Sequence, residues 1–194
     1  MKKTFLLFFG ILVLLIVGFF VSKKTNLNPK FEVGKKIDSL NGVYVYYNGG
    51  VGNVVGRELT QDGYNLGLKY QCVEFVKRYY YEEFNHKMPD SYGNAKDFFN
   101  SKIRDGKINK QRNLYQHTNP SSSKPKINDL IIYSGTALNR YGHVSIISNV
   151  SENEIEIIQQ NPGPFASSRE KYVLINVDGK WKINNDRILG WLRK

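Results

Sequence analysis

The sequence contains a single cysteine, Cys72, among its 194 residues. A lone thiol cannot form an intramolecular disulfide, and no other cysteine is present to complete a cysteine-based zinc site. Two interpretations remain: a small apolar residue buried in the core, or a nucleophile. Cys72 stands at the head of an amphipathic stretch that predicts a helix over 71–84. The first turn of a helix favours a thiolate through its unpaired N–H groups, so this position favours the nucleophile.

The sequence also lacks internal repeats and low-complexity segments, which argues against a disordered or solenoid protein. Tyrosine (13) and phenylalanine (11) are plentiful. Without its apolar N-terminus the chain keeps about 155 residues, enough for one domain with a proper core.

The part of the chain that is expected to fold carries less than half of the excess positive charge. The net charge is +11, but residues 1–36 hold seven lysines and one acid, Glu32, and so account for +6 of it. The excess therefore lies beside the apolar segment, where lysines are attracted to anionic lipid. This distribution predicts a membrane as partner and no nucleic acid.

Charged residues are absent from positions 5–21, which is the short end of the length needed to span a bilayer. Small residues near a cleavage point are also missing, so we expect an uncleaved anchor over 1–22 rather than a removed signal peptide. A basic stalk over 23–38 and a catalytic domain over 39–194 follow. The lysines after the span favour a cytoplasmic domain. The short basic head before it is typical of export signals, and we expect an extracytoplasmic domain.

The remaining pattern predicts an α+β fold, with helices first and an antiparallel sheet afterwards. After the helix at 71–84, a shorter helix is predicted over 94–100, and residues 101–128 are expected to be an irregular loop. Short β-branched or aromatic segments then predict strands at 129–133, 143–148, 154–160, 171–177, 180–183 and 188–192.

A cysteine nucleophile needs an imidazole nearby and a third group that orients the imidazole. Among the three histidines, His86 is expected to be structural at a helix C-terminus and His117 to be solvated in a loop. His143 opens a strand directly after a glycine, which permits close approach of another group. On the next strand, Gln159 and Asn161 continue the face of two inward isoleucines, so they need hydrogen-bond partners such as His143.

Four motifs now occur in a suggestive order: YQCVEFV at 70–76, PKINDLI at 125–131, GHVSII at 142–147 and IIQQN at 157–161. In this order and spacing they resemble the CHAP family, cysteine- and histidine-dependent amidohydrolases and peptidases with a reduced papain-like fold. The resemblance covers residues 40–194. It implies N-terminal helices packed on a C-terminal antiparallel sheet, here preceded by one transmembrane helix.

The resemblance also implies residue roles. Cys72 takes the place of the nucleophile and His143 that of the general base. The third member is commonly a glutamate, whereas this chain has Gln159, whose amide oxygen can accept the imidazole Nδ1–H and so orient the ring, but cannot balance its charge. Asn161 is a second candidate for that role, and Gln71 is a candidate for oxyanion support together with the Cys72 N–H group.

The resemblance implies hydrolysis of an amide through a thioester, without a cofactor. Some members of the family bind calcium through an acidic loop, but no Asp-x-Asp run precedes Cys72, so no metal is expected. Two substrates stay open: a peptidoglycan peptide, favoured by an anchored extracytoplasmic domain, and the small amide glutathionylspermidine, favoured by a similarity to the glutathionylspermidine synthetase/amidase amidase domain. A non-catalytic wall-binding module is the third alternative. We expect a monomer.

Overall fold

The computed structural model describes residues 2–194, so that residue 1 of the predicted anchor lies outside the described part. The α+β prediction is confirmed: one apolar N-terminal helix precedes a second helix and a large antiparallel sheet. The elements are α1 Lys2–Lys24, β1 Lys36–Leu40, β2 Val43–Tyr46, β3 Arg57–Leu59, β4 Asn65–Leu68, α2 Cys72–Phe84, a 3-10 turn Ala95–Phe98, β5 Lys107–Asn109, β6 Leu114–Thr118, β7 Leu130–Tyr133, β8 His143–Val150, β9 Glu154–Ile158, β10 Arg169–Val177, β11 Lys180–Ile183 and β12 Ile188–Arg193.

The N-terminal helix α1 projects from the domain. Its large apolar side chains between Leu6 and Val21 are exposed, and Leu6–Lys24 is long and apolar enough to cross a membrane. A helix that leaves such a surface uncovered needs a membrane or another apolar partner.

The segment predicted as a stalk, 23–38, contacts the domain along much of its length. The Gly34 N–H donates to the Tyr47 carbonyl at 2.8 Å, and the Tyr47 N–H donates to the Lys35 carbonyl at 2.8 Å. Asn28 is buried, and strand β1 already begins at Lys36. The segment that separates α1 from the domain is therefore short.

The central sheet has eight strands in the order β11-β10-β9-β8-β7-β12-β6-β5, and every neighbouring pair is antiparallel. Helix α2 packs on one face through Phe75, Val76 and Tyr79, which join a core with Val144 and Ile146. A second core covers the other face and includes Ile147, Ile157 and Trp191. This packing places the first turn of α2 against the start of β8.

The prediction of an irregular loop over 101–128 is wrong, because this segment contains β5 and β6 at one edge of the sheet. Their inward residues are polar: the Asn109 side chain donates to the Gln116 side chain at 3.0 Å, and both are buried. A hydrogen bond between two buried amides removes the apolar alternation by which a strand is recognised. The helix predicted over 94–100 is a single 3-10 turn, Ala95–Phe98, with Asn94 and Asp97 as its capping box.

Candidate active site

Cys72 is the first residue of α2, as the sequence predicts. Gln71 is the N-cap with extended backbone angles, and Tyr70 before it has φ of +66°, a left-handed conformation that is uncommon for a bulky residue. This sharp turn directs the first turn of α2 toward the start of β8. The Cys72 sulfur accepts a hydrogen bond from the Val144 N–H, and the residue as a whole is partly exposed. The thiol thus lies beside the residue that follows His143.

Gly142 permits the backbone path that brings His143 to this position. Its φ is +75°, and a Cβ atom there would lie 2.5 Å from the Tyr133 carbonyl oxygen and 2.8 Å from the Lys96 Cβ. The close approach to Gly142 that the sequence predicts is therefore present, and the approaching group is the backbone of Tyr133. The Tyr133 ring contacts the His143 imidazole, with ring centroids 5.6 Å apart.

Gln159 contacts His143, as the strand alternation predicts: the Gln159 Oε1 and His143 Nε2 atoms are 2.9 Å apart. The Gln159 Nε2 donates to the Ser167 carbonyl at 3.2 Å, which fixes the amide with its oxygen toward the ring. Because an amide oxygen accepts, His143 Nε2 carries the hydrogen and Nδ1 keeps its lone pair. A bond from Nδ1 to the amide was expected; the structure shows Nε2 there instead, which leaves Nδ1 as the basic atom.

Burial dominates the electrostatics of the pair. It raises the pKa of the Cys72 thiol to about 11, against hydrogen bonds from the Val144, Val73 and Cys72 N–H groups. It lowers the pKa of His143 to about 4, against the Gln159 hydrogen bond, and the Arg187 charge lowers it further. At neutral pH both groups are therefore uncharged. The thiolate expected from the helix N-terminus does not form in this resting state, because desolvation outweighs the N–H groups.

Gln71 and Asn161 lie together on the Cys72 side of the site. The Asn161 Nδ2 donates to the Gln71 Oε1 at 2.7 Å and to the Val51 carbonyl at 2.9 Å. The Gln71 Nε2 donates to the Asn53 carbonyl at 2.7 Å. Both amides thus hold the 51–53 loop next to Cys72, whereas Gln159 is the partner of His143. Oxyanion support by Gln71 stays a prediction and would require its amide to leave the Asn53 carbonyl.

Two residues with a structural role at the site were missed from the sequence, Gln160 and Glu74. The Gln160 Nε2 donates to the Glu74 carboxylate at 2.8 Å and to the Gln71 carbonyl at 3.0 Å, while its Oε1 accepts from the Tyr46 N–H at 2.7 Å. Both side chains are buried, and Glu74 also pairs with Arg78. They attach the first turn of α2 to the end of β9. The available signal was the carboxylate of Glu74 in the first turn of the helix, where the unpaired N–H groups favour negative charge.

The other two histidines lie outside this group. His86 is buried and bonded through Nε2 to the Arg112 carbonyl at 2.9 Å, so its structural role is supported, and burial lowers its pKa. The solvated position expected for His117 is wrong, because this ring lies on β6, buried and stacked on Trp191. Residues 2–194 contain no group of three or more His, Cys, Asp or Glu side chains that could hold a metal. Metal independence stays a prediction.

The family comparison agrees with this geometry. The CHAP domain model matches residues 61–161, which include Cys72, His143 and Gln159. The chain is 31% identical over 134 residues to trypanothione synthetase of Crithidia fasciculata, covering 68% of this chain and 21% of that protein. It is 28% identical over 142 residues to glutathionylspermidine synthase of the same organism, covering 66% of this chain and 19% of that protein. The chain thus spans about a fifth of the length of these relatives. Because the family model covers just over half of the sequence, the chain belongs to the CHAP domain family.

Proposed function

We propose that this protein is a thiol-dependent amidohydrolase or peptidase, and that Cys72, His143 and Gln159 carry out the reaction. The observation that supports it is the meeting of three separate elements at one point. The Cys72 sulfur contacts the Val144 N–H, and the neighbouring His143 ring is held by Gln159 with Nδ1 left basic. A nucleophile, a base and an orienting group are the parts that acyl transfer needs.

In the first half-reaction the Cys72 sulfur attacks the carbonyl carbon of the amide, while His143 Nδ1 takes the thiol proton. The carbonyl becomes a tetrahedral oxyanion beside the N–H groups of the first turn of α2, which favour negative charge. The C–N bond then breaks, His143 gives its proton to the leaving amine, and a thioester remains on Cys72.

In the second half-reaction His143 takes a proton from water as the water attacks the thioester. The C–S bond breaks, the proton returns to the Cys72 sulfur, and the product acid leaves. Gln159 keeps the imidazole in one tautomer throughout. A neutral amide stabilises the transient imidazolium less than a carboxylate does, so a lower rate than with glutamate is the expected consequence.

A peptide of peptidoglycan is the substrate that we favour. The charge that acts on His143 from the described residues is the cation of Arg187, which suits substrates with carboxylate groups. The apolar helix α1 and the lysine-rich residues after it also fit an anchored domain facing an anionic wall. On this proposal α1 stays in the chain and the domain lies outside the cytoplasm.

A second candidate is the amide of a glutathione–polyamine conjugate, hydrolysed in the cytosol. It is favoured by the two relatives, which are named trypanothione synthetase and glutathionylspermidine synthase. A polycationic amine would, however, be repelled by Arg187 near the imidazole. We therefore place it second.

The test uses the full chain in lipid nanodiscs. It is incubated with purified peptidoglycan and, separately, with glutathionylspermidine, and products are identified by mass spectrometry. We expect new amino and carboxyl ends in wall peptides, lost in Cys72→Ala and His143→Ala. The control is Lys171→Ala, which should keep the activity. Lys171 is an exposed residue of β10 that pairs with Glu154 of β9. Hydrolysis of glutathionylspermidine but not of peptidoglycan would select the second candidate. No product with either substrate would favour a non-catalytic binding module.

Topology provides an independent test of the two candidates. A protease-sensitive reporter fused to the C-terminus is probed in intact cells, with lysed cells as the control. Cleavage from outside is expected for the wall substrate. Protection in intact cells would contradict it and favour the cytosolic conjugate.

A further inference from the structure

The end of the membrane helix is attached directly to the catalytic domain. The Gly52 N–H donates to the Lys23 carbonyl at 2.8 Å, and a Cβ atom on Gly50 would lie 2.3 Å from the same oxygen. The Lys23 Nζ donates to the Leu138 carbonyl at 2.7 Å. The last turn of α1 is therefore fixed against two loops, 48–56 and 134–142.

A third loop, 159–168, joins them. Its Pro164 carbonyl accepts from the Asn28 side chain at 2.8 Å, just after the end of α1. Asn161 at its start donates to the Val51 carbonyl in the first loop. We call these three loops, 48–56, 134–142 and 159–168, the rim loops.

The rim loops surround the proposed catalytic residues. Loop 48–56 is bonded to Gln71, the neighbour of Cys72. Loop 134–142 leads directly into His143, and loop 159–168 begins with Gln159. The end of α1 and the loops that adjoin the proposed catalytic residues consequently lie on the same side of the domain.

The tips of the rim loops are apolar and exposed. Single exposed apolar residues are ordinary, whereas a group of them on adjoining loops indicates an interaction surface. The exposed fractions are 72% for Phe165, 69% for Leu138, 57% for Val54, 54% for Val55 and 39% for Val51. Arg140 lies in loop 134–142, and Lys24 is the last residue of α1.

We infer that the rim loops rest on the membrane that holds α1, with their apolar tips in the lipid–water interface. The occupant is the lipid surface itself, because α1 ends within hydrogen-bond distance of two rim loops and cannot enter the membrane without bringing them to its surface. Amphipathic surfaces of this kind enter the headgroup region by about 5–10 Å, and flanking lysines and arginines favour anionic lipid. This inference rests on α1 being a retained membrane span.

The consequence concerns the substrate. A site whose rim lies on the bilayer opens toward molecules that are carried by lipid or that lie against the membrane surface. Amides in distant layers of a cell wall would be out of its reach. This deepens the proposed function by selecting substrates presented at the membrane.

The test measures depth and does not depend on activity. In the full-length Cys72→Ser chain, whose only cysteine has been removed, Val54→Cys, Leu138→Cys and Phe165→Cys are each labelled with a nitroxide after reconstitution into vesicles. Val177→Cys, equally exposed on the β10–β11 hairpin, is the control. Oxygen relaxes a label in lipid and a nickel complex relaxes a label in water. We expect the ratio of oxygen to nickel accessibility to be several-fold higher at the three rim positions than at Val177, and higher with anionic than with neutral vesicles. Water-like ratios at all three rim positions would overturn the inference.

A second variant separates insertion of the tips from closeness imposed by the tether. The label on Val54→Cys is measured again with Phe165→Asp and Leu138→Asp together, and with Val177→Asp as the matched control. We expect the rim label to become several-fold more accessible to the nickel complex with the two rim aspartates and to stay unchanged with the control. An unchanged label in both cases would contradict insertion of the apolar tips. Neither result depends on which amide the protein cleaves, or on whether it cleaves one.

Discussion

The protonation state of the resting Cys72–His143 pair is the sharpest consequence of the site geometry. With the pKa of Cys72 at about 11, about one molecule in 10⁴ carries a thiolate at pH 7, and with the pKa of His143 at about 4, about one in 10³ carries an imidazolium. The pair is therefore neutral, and in the proposed mechanism His143 takes the proton as the sulfur attacks. Many cysteine nucleophiles instead rest as a thiolate beside a charged partner.

The expected labelling rate follows from these values. Relative to a free thiol, the thiolate fraction at pH 7 is lower by about 100-fold, since the pKa is about two units higher. The higher basicity makes the thiolate more nucleophilic by about 10-fold, which leaves alkylation by iodoacetamide about 10-fold slower than that of a free thiol.

Absorbance of the thiolate at 240 nm measures the state directly. Because the chain has one cysteine, the difference between the native protein and Cys72→Ser reports this thiol alone. We expect no difference band between pH 5 and 8, in the native protein or in His143→Ala. A band at pH 6 to 7 that disappears in His143→Ala would refute the reasoning, because it would show that the ion pair is stable despite burial.

The remaining predictions concern the residues that hold the site. Gln159→Ala should lower kcat by about 10- to 100-fold, because it frees the imidazole of His143. Gln159→Glu should keep activity and move the acidic limb of the pH–rate profile to higher pH, because a carboxylate raises the pKa of the imidazole. An unmoved limb would contradict the contact between the two side chains. Gly142→Ala should lower the free energy of unfolding, measured by urea titration, by about 3 kcal/mol, because its Cβ atom would clash with neighbouring atoms. The control Gly63→Ala should cost only about 1 kcal/mol, since its φ is also positive but its Cβ atom would meet nothing. Equal losses would exclude the clash. Between pH 6.5 and 4 the unfolded chain binds a proton that native His143 does not. The free energy of unfolding should therefore decrease as the pH is lowered through this range, by up to about 3 kcal/mol more in the native protein than in His143→Gln. Parallel curves for the two proteins would place the ring in water. A chelator should leave hydrolysis unchanged, and loss restored by calcium would refute metal independence.

The sequence predicted the parts of the molecule that depend on local pattern. Helix α2 follows from its 3,4 spacing of apolar residues, and the late strands follow from β-branched runs separated by turns. Alternation along β9 also predicted that Gln159 shares the side of the sheet that faces His143, which the 2.9 Å hydrogen bond confirms. These features need only the side-chain period of one element.

Strands β5 and β6 escaped prediction because their inward positions are polar. Asn109 donates to Gln116 only after the two strands have paired, and the buried His117 ring stacks on Trp191 of β12. The contact is long-range, so no window of the sequence contains it.

The same distinction holds at the site. The sequence determined which groups could react, since it offers one thiol and a histidine placed after a glycine at the start of a strand. Tertiary structure decided their charge, because desolvation comes from all the elements packed around them and outweighs the local helix N-terminus. It also decided that the end of α1 contacts loops adjoining Cys72 and His143, because hydrogen bonds between residues far apart in the chain exist only after folding.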